Sequence, residues 1–262
     1  MTGWRLEWPR AGGEPAGAGQ IRKEPTDFEV TEDLGWHPEG EGEHLLVQLE
    51  KCGDNTDWVA KGLARMAGCA PGAVGYAGRK DRHAVTRQWF SIPCSPAKSD
   101  ALLEAISGNW RVLTVARHKR KLRTGELAGN RFRVRVRDLD ADDSTLAARW
   151  QAVVEQGCPN YFGPQRFGRE GANLDAAVQM DPERLKRPRE RARSGLLLSA
   201  VRSWLFNEWL ARRLSEDSWM DLRDGEPESV PTGPLFGDDS CGAEGVLAEE
   251  ELAFAGQFPA FM

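Results

Sequence analysis

Arg131-Phe132-Arg133-Val134-Arg135-Val136-Arg137 alternates cation and apolar residue without a break. Side chains along a strand point to opposite faces with period 2, so this run predicts a strand with Phe132, Val134 and Val136 on a core and four arginines on the other side. It is the clearest strand in the chain, and the segments around it read as interleaved strands and helices. Upstream, Phe28 and Val30 within residues 21–34, and Leu45, Leu46, Val47 and Leu49 within 44–50, mark two strands separated by a loop rich in Gly, Glu and Pro. Asn55 or Thr56 caps a helix whose apolar face is Val59, Leu63 and Met66, and Gly68 stops it. Residues 73–77, 88–92 and 110–116 read as strands and 99–106 as a capped helix. Downstream, Asp143 or Ser144 opens a helix with Leu146, Trp150 and Val153 or Val154 on one face, ending at Gly157.

A second region follows: Cys158-Pro-Asn-Tyr-Phe-Gly-Pro-Gln-Arg-Phe-Gly168, a polar and basic stretch to Arg193, and a long helix from 195 to about 214 with Leu197, Val201, Trp204, Leu205 and Leu210 as its apolar set. Beyond Ser215 the sequence is acidic and rich in Gly and Pro, with few core positions before Phe254, Phe258 and Phe261, which predicts a partly mobile segment. The fold class expected is α+β. A mixed, largely antiparallel sheet flanked by helices occupies residues 1–155, and a mostly helical domain occupies 156–262.

With 262 residues, 40% of them hydrophobic, the chain can bury a proper core. No stretch approaches the roughly 20 apolar residues that cross a bilayer, and the start lacks a signal pattern, so a cytoplasmic location is expected. Five scattered cysteines (52, 69, 94, 158, 241) form no C-x-x-C pair and four dispersed histidines (37, 44, 83, 118) form no ligand cluster, so no metal is expected. The net charge of −5 conceals an asymmetry: residues 215–262 carry twelve acids and one base, leaving +6 for residues 1–214, where 34 Lys and Arg face 28 Asp and Glu. The body is therefore basic, and nucleic acid is a candidate partner.

Between 111 and 137 stand ten Lys or Arg and one acid, Glu126. Arg117, Lys119, Arg120, Lys121 and Arg123 form the dense part and are candidate phosphate contacts. A second basic run, Arg184 to Arg193, is diluted by acids and reads equally as an exposed loop. The chemistry is sought at Gly75-Tyr-Ala-Gly-Arg-Lys-Asp-Arg-His-Ala-Val-Thr-Arg-Gln-Trp89, where Asp81 lies between Lys80 and Arg82 on a glycine-punctuated turn. A neighbouring cation lowers an Asp pKa by about 1 to 3 units, which would keep Asp81 charged as nucleophile or base.

Four ordered segments carry a resemblance. They are Arg22-Lys-Glu-Pro-Thr-Asp-Phe-Glu-Val-Thr-Glu-Asp-Leu-Gly35 with Gly40-Glu-Gly-Glu-His44 close behind, then Gly75 to Trp89, then Ala116-Arg-His-Lys-Arg-Lys-Leu-Arg-Thr-Gly-Glu-Leu-Ala-Gly-Asn-Arg-Phe132, then Asn160-Tyr-Phe-Gly-Pro-Gln-Arg-Phe-Gly168. Together they resemble the tRNA pseudouridine synthase D (TruD) family. The resemblance implies a cofactor-free isomerisation of a uridine in tRNA, at position 13, with Asp81 as the essential aspartate. It further implies that Phe28 stacks on or walls the uracil, that Asn130 hydrogen-bonds the target nucleotide, and that Phe132 stands where related synthases often carry a tyrosine. Arg22 is the implied ion-pair partner of Asp81, with Lys23 as the adjacent alternative. Lys80 reads either as a substrate contact or as a surface lysine. Tyr161, Phe162 and Phe167 read as stacking partners for bases or as buried aromatics.

One departure stands out. The family's closing block, with a further active-site aromatic and the last strand and helix, has no counterpart before Met262, which predicts a weakened catalytic half. The alternative expectation is accordingly a catalytically weak or inactive RNA-binding protein; a carboxylate ribonuclease is a third reading.

Overall fold

In the computed structural model, which describes residues 3–181, 183, 187, 190–237 and 242–259, the Asn55 side chain accepts a hydrogen bond from Trp58 N at 2.8 Å and so opens α1 (Thr56–Ala67). Gly68, with φ +66, closes it as the pattern predicts. The helix covers a sheet built from β2 (Phe28–Asp33), β3 (His44–Cys52), β4 (Gly75–Tyr76), β5 (Val85–Pro93), β6 (Arg111–His118) and β7 (Gly129–Val134). Strand order is β6-β3-β5-β2-β7, with β4 also on β5; only β2 and β5 run parallel. The α+β reading with a largely antiparallel sheet therefore holds. A separate ribbon pairs β1 (Gly17–Gln20) with β8 (Arg137–Ala141).

Leu45, Val47 and Leu49 of β3 and Phe90 and Ile92 of β5 interlock with Val59 and Leu63 of α1 and with Leu102 and Ile106 of α2 (Ser99–Ser107). Each such side chain contributes about 1.5–3 kcal/mol on burial, so this layer fixes the sheet on which the site rests.

The run 131–137 behaves differently from its pattern. It breaks after Val134 into β7 and β8, and Phe132, Val134 and Val136 are 62%, 47% and 46% exposed. The reason is position: β7 is an edge strand outside the reach of α1 and α2, whose core contacts lie on β3 and β5. Its arginines are not free either. Arg131 pairs with Asp33 at 3.2 Å, Arg133 with Glu29 at 3.8 Å, and Arg137 with the buried Asp27 at 2.8 Å. That hydrogen bond from Arg137 holds the Asp27 carboxyl below the ordinary range, against the opposing effect of burial. Residues 73–77 shorten to the two-residue β4, because Pro71–Ala73 form a 3-10 turn.

Chain contacts define two units, Gly17–Ala141 and a second made of the segment to Ala16 with residues from Asp142 onward. The division falls at 141 rather than near 155, because α3 (Asp143–Gln156) belongs with the N-terminal segment, as in the bond from Arg149 to Glu14 O at 3.3 Å. No residue of α3 is buried; its expected core face of Leu146, Trp150, Val153 and Val154 is exposed. The helical unit continues with α4 (Ala172–Val178), α5 (Arg191–Ser215) and α6 (Gly245–Ala255). Phe167, Leu174, Val201, Trp204 and Leu205 form its main core. Within the acidic segment, expected to be partly mobile, the described residues include α6, whose Leu247 and Phe254 pack on Trp209, and Glu226, which pairs with Arg213 at 2.7 Å with both side chains buried. Burial, reinforced by Glu226, pushes the Glu251 carboxyl up to about 7. Arg184, Lys186, Arg189, Cys241 and Phe261 lie outside the described residues.

Candidate active site

Alternation along β2 puts Phe28, Val30 and Glu32 on the sheet face that α1 covers, and the antiparallel register sets Val134, Phe132 and Asn130 of β7 directly beside them. Just upstream, Arg22 adopts φ +57, a left-handed conformation that a non-glycine residue rarely takes. Its guanidinium lies over the Phe28 ring, the ζ carbon 4.2 Å from the centroid, and reaches Asp81 Oδ2 at 3.3 Å. Phe132 stacks beside Phe28, with centroids 6.0 Å apart and planes 17° from parallel. Asp81 Oδ1 accepts from His83 N at 2.9 Å, and the side chain is 35% exposed. A carboxylate, its counter-cation and two rings thus meet on one open face.

Of the two alternatives, Arg22 takes the pair; Lys23 turns to Asp138 at 3.3 Å. The sequence neighbours of Asp81 do not pair with it. Arg82 Nε donates to His83 Nε2 at 2.9 Å, and Lys80 points inward, its Nζ 2.6 Å from Glu32 Oε1, with the two side chains 7% and 0% exposed. Lys80 is therefore neither a surface lysine nor placed to touch a substrate. Nearby, Lys51 is buried and donates to Asp54 O at 2.7 Å; burial holds its ammonium below the usual lysine value, partly offset by Asp54, Asp81 and Glu32.

Among the five candidate phosphate contacts, Arg117 is engaged by Cys94 O and Ser99 Oγ in half-buried bonds, and Lys121 donates to Gly72 O at the surface. Lys119 pairs with Glu41 at 2.8 Å and Arg120 with Glu126, both exposed cations. Arg123 is exposed, and its backbone N–H donates to Glu126 Oε2 at 2.7 Å. In the helical unit Phe167 is buried, and Asn207 clamps Phe162 by bonds to its N at 2.8 Å and O at 2.9 Å, so those aromatics are framework.

Glu32, Gln88 and Thr56 received no site role from the sequence, and all three are buried. One signal was there: Glu32 continues the inward parity of Phe28 and Val30, and a carboxylate at an inward position demands a buried partner. Among the described residues no group of three or more His, Cys, Asp or Glu is arranged to hold a metal, and no helix is long and apolar enough to cross a membrane.

A sequence profile of the family described as tRNA pseudouridine synthase D (TruD) matches residues 11–179. The chain is 45% identical to tRNA pseudouridine synthase D of Marinobacter nauticus over 92% of its own length and 75% of that protein's. It is 47% identical to the protein of the same name from Cellvibrio japonicus, over 88% of this chain and 70% of the relative. A crystal structure described as a TruD candidate from Methanosarcina mazei superposes with TM-score 0.65 over 96% of this chain and 72% of that one; at 22% identity it speaks for the fold alone. Matched along most of its length by profile and relatives alike, the chain belongs to the tRNA pseudouridine synthase D family.

Proposed function

We propose that this chain isomerises a uridine of tRNA to pseudouridine with Asp81 as the reacting carboxylate, at position 13 as the family resemblance implies. The observation that carries the reading is the Arg22–Asp81 pair seated on the Phe28 ring, with Phe132 open beside it. The reaction breaks the bond from C1′ to N1, turns the base, and joins C1′ to C5; a proton leaves C5 and N1 gains one, so no redox partner or group donor enters. Asp81 can add to C1′ or to C6, or take a sugar proton to begin elimination. In each route the guanidinium of Arg22 keeps the acid oriented and balances its charge.

To reach Asp81 the uridine leaves its stack, at a cost of about a few kcal/mol. One face of Phe28 already holds Arg22, so Phe132 offers the free ring for the base, and Asn130, exposed on the same strand, supplies amide donors and an acceptor. Lys119, Arg120 and Arg123 are the phosphate contacts of this reading, because exposed ion pairs worth about 0–1 kcal/mol give way readily to a polyanion. Nucleoside analysis by chromatography and mass spectrometry, on tRNA incubated with the 262-residue chain, tests the reading. Pseudouridine mapped to position 13 is expected; salt-sensitive tRNA binding without product would favour the binding protein instead.

A further inference from the structure

We propose that Glu32 and Lys80 are positioning residues that lock the Asp81 turn to the strand carrying the aromatic rings, a role that rests on the reaction proposed above. Four side chains from four different segments close a ring of hydrogen bonds under the turn. Lys80 Nζ meets Glu32 Oε1 at 2.6 Å, and Gln88 Nε2 donates to the same oxygen at 3.3 Å. Gln88 Oε1 accepts from the Thr56 hydroxyl at 2.9 Å, and Thr56 Oγ1 accepts from Lys80 N at 2.9 Å, which returns the circuit to its start. Glu32 Oε2 is occupied as well, by Trp89 N at 2.7 Å.

The ring fixes the turn at several points. Gly78 O accepts from Gln88 Nε2 at 2.6 Å, Lys80 is held by both its backbone N and its Nζ, and Arg82 O accepts from Gly53 N at 2.9 Å. Asp81, between two anchored neighbours, is the residue left facing Arg22. On the other side, Glu32 shares its strand and face with Phe28 and stands opposite Asn130. The acid and the base platform therefore hang from one buried carboxylate.

A buried ion pair suits this task because neither partner tolerates being left alone, which confines the pair to one geometry. Misplacing a reacting group by about 1 Å costs on the order of 100-fold in rate, so the geometry is what the pair contributes.

The test compares Glu32→Gln, Lys80→Met, Lys80→Arg and the Glu32→Gln/Lys80→Met double variant with the full chain. It reads single-turnover rate at saturating tRNA, tRNA Kd, and hydrogen exchange of a peptide spanning 76–84. Each neutralising single variant is expected to lose on the order of 10- to 100-fold in rate with Kd within about twofold. The double variant should be no slower than the slower single, Lys80→Arg should recover part of the rate, and exchange of the turn should rise while that of α2 stays. Folded single variants with the parent rate, equal losses in rate and Kd, or an unprotected-turn signal that never appears would each overturn the proposal. A parent chain that forms no pseudouridine refutes the reaction instead, and the exchange result then decides alone whether the pair holds the turn.

Discussion

The two faces of the β2–β7 pair carry the same alternation and meet opposite fates. One face shows Phe28, Phe132, Val134 and Asn130 beside Asp81, with the β7 apolar groups open. The other carries a row of matched charges across all five strands of the sheet path: Arg111 to Glu50 at 3.3 Å, Glu50 to Arg87 at 2.8 Å, Arg87 to Glu29 at 3.0 Å, and Glu29 to Arg133 at 3.8 Å. A face whose charges already answer one another has little need of a ligand, whereas open rings next to a carboxylate suit a flat, polar base. Alternation sorts residues by face; it does not say which face is covered.

The largest effect expected is at Asp81. Asp81→Asn should remove at least about 1,000-fold of the conversion rate while tRNA binding persists, since in the proposed reaction the carboxylate performs the chemistry and the proposed phosphate contacts lie elsewhere. Retained turnover, read by nucleoside analysis, would break the assignment of the open face as the catalytic one. Next comes Phe132→Ala. Loss of stacking worth about 1–3 kcal/mol predicts roughly 5- to 150-fold in kcat/KM, with the thermal midpoint nearly unchanged because the ring is exposed. A large drop in midpoint with normal kinetics would mean that the ring is structural.

Smaller differences separate the cations proposed to contact RNA from those that pair across the sheet. Arg123→Ala should lower the slope of log affinity against log salt by about 0.7 to 0.9, measured by titrations at several salt concentrations. Arg133→Ala should leave that slope alone and change stability by no more than about 1 kcal/mol. The reverse result would make the arginine face the RNA face.

Acid titration sharpens the same contrast. Asp27 has its pKa lowered from 3.8, chiefly by Arg137, so its contribution to stability is complete above that value and is lost as the pH falls through the lower folded value. Arg137→Ala should flatten the acid limb of the stability profile, measured by melts at descending pH; parallel limbs in both proteins would exclude the ion pair as its cause.

Much of the fold was legible because it depends on local rules. Asn55 and Gly68 bound α1 where their chemistry requires, and the apolar runs of β3 and β5 lie in the core. The edge position of β7 was not legible, since it is set by strand order and by which strands the helices cover. At the site, family blocks pointed to Asp81, Arg22, Phe28 and Phe132, and the structure brings these four together. Lys80 was misread for a physical reason: adjacency in sequence suggested contact with Asp81, but successive residues on an extended turn point apart, and Glu32, distant in sequence, is its partner. In the acidic segment Phe254 was legible as a core position and Leu247 was not, because composition averages away an isolated apolar residue.

Arg22 sits in a conformation that carries about 1 kcal/mol or more of strain, held there while its guanidinium spans Phe28 and Asp81. Glycine or asparagine would occupy that backbone more easily and would lack the cation. Position 22 is thus where heat tolerance and turnover pull apart: a laboratory selection for survival of heating should drift toward Gly or Asn there, and a selection for modified tRNA should restore arginine.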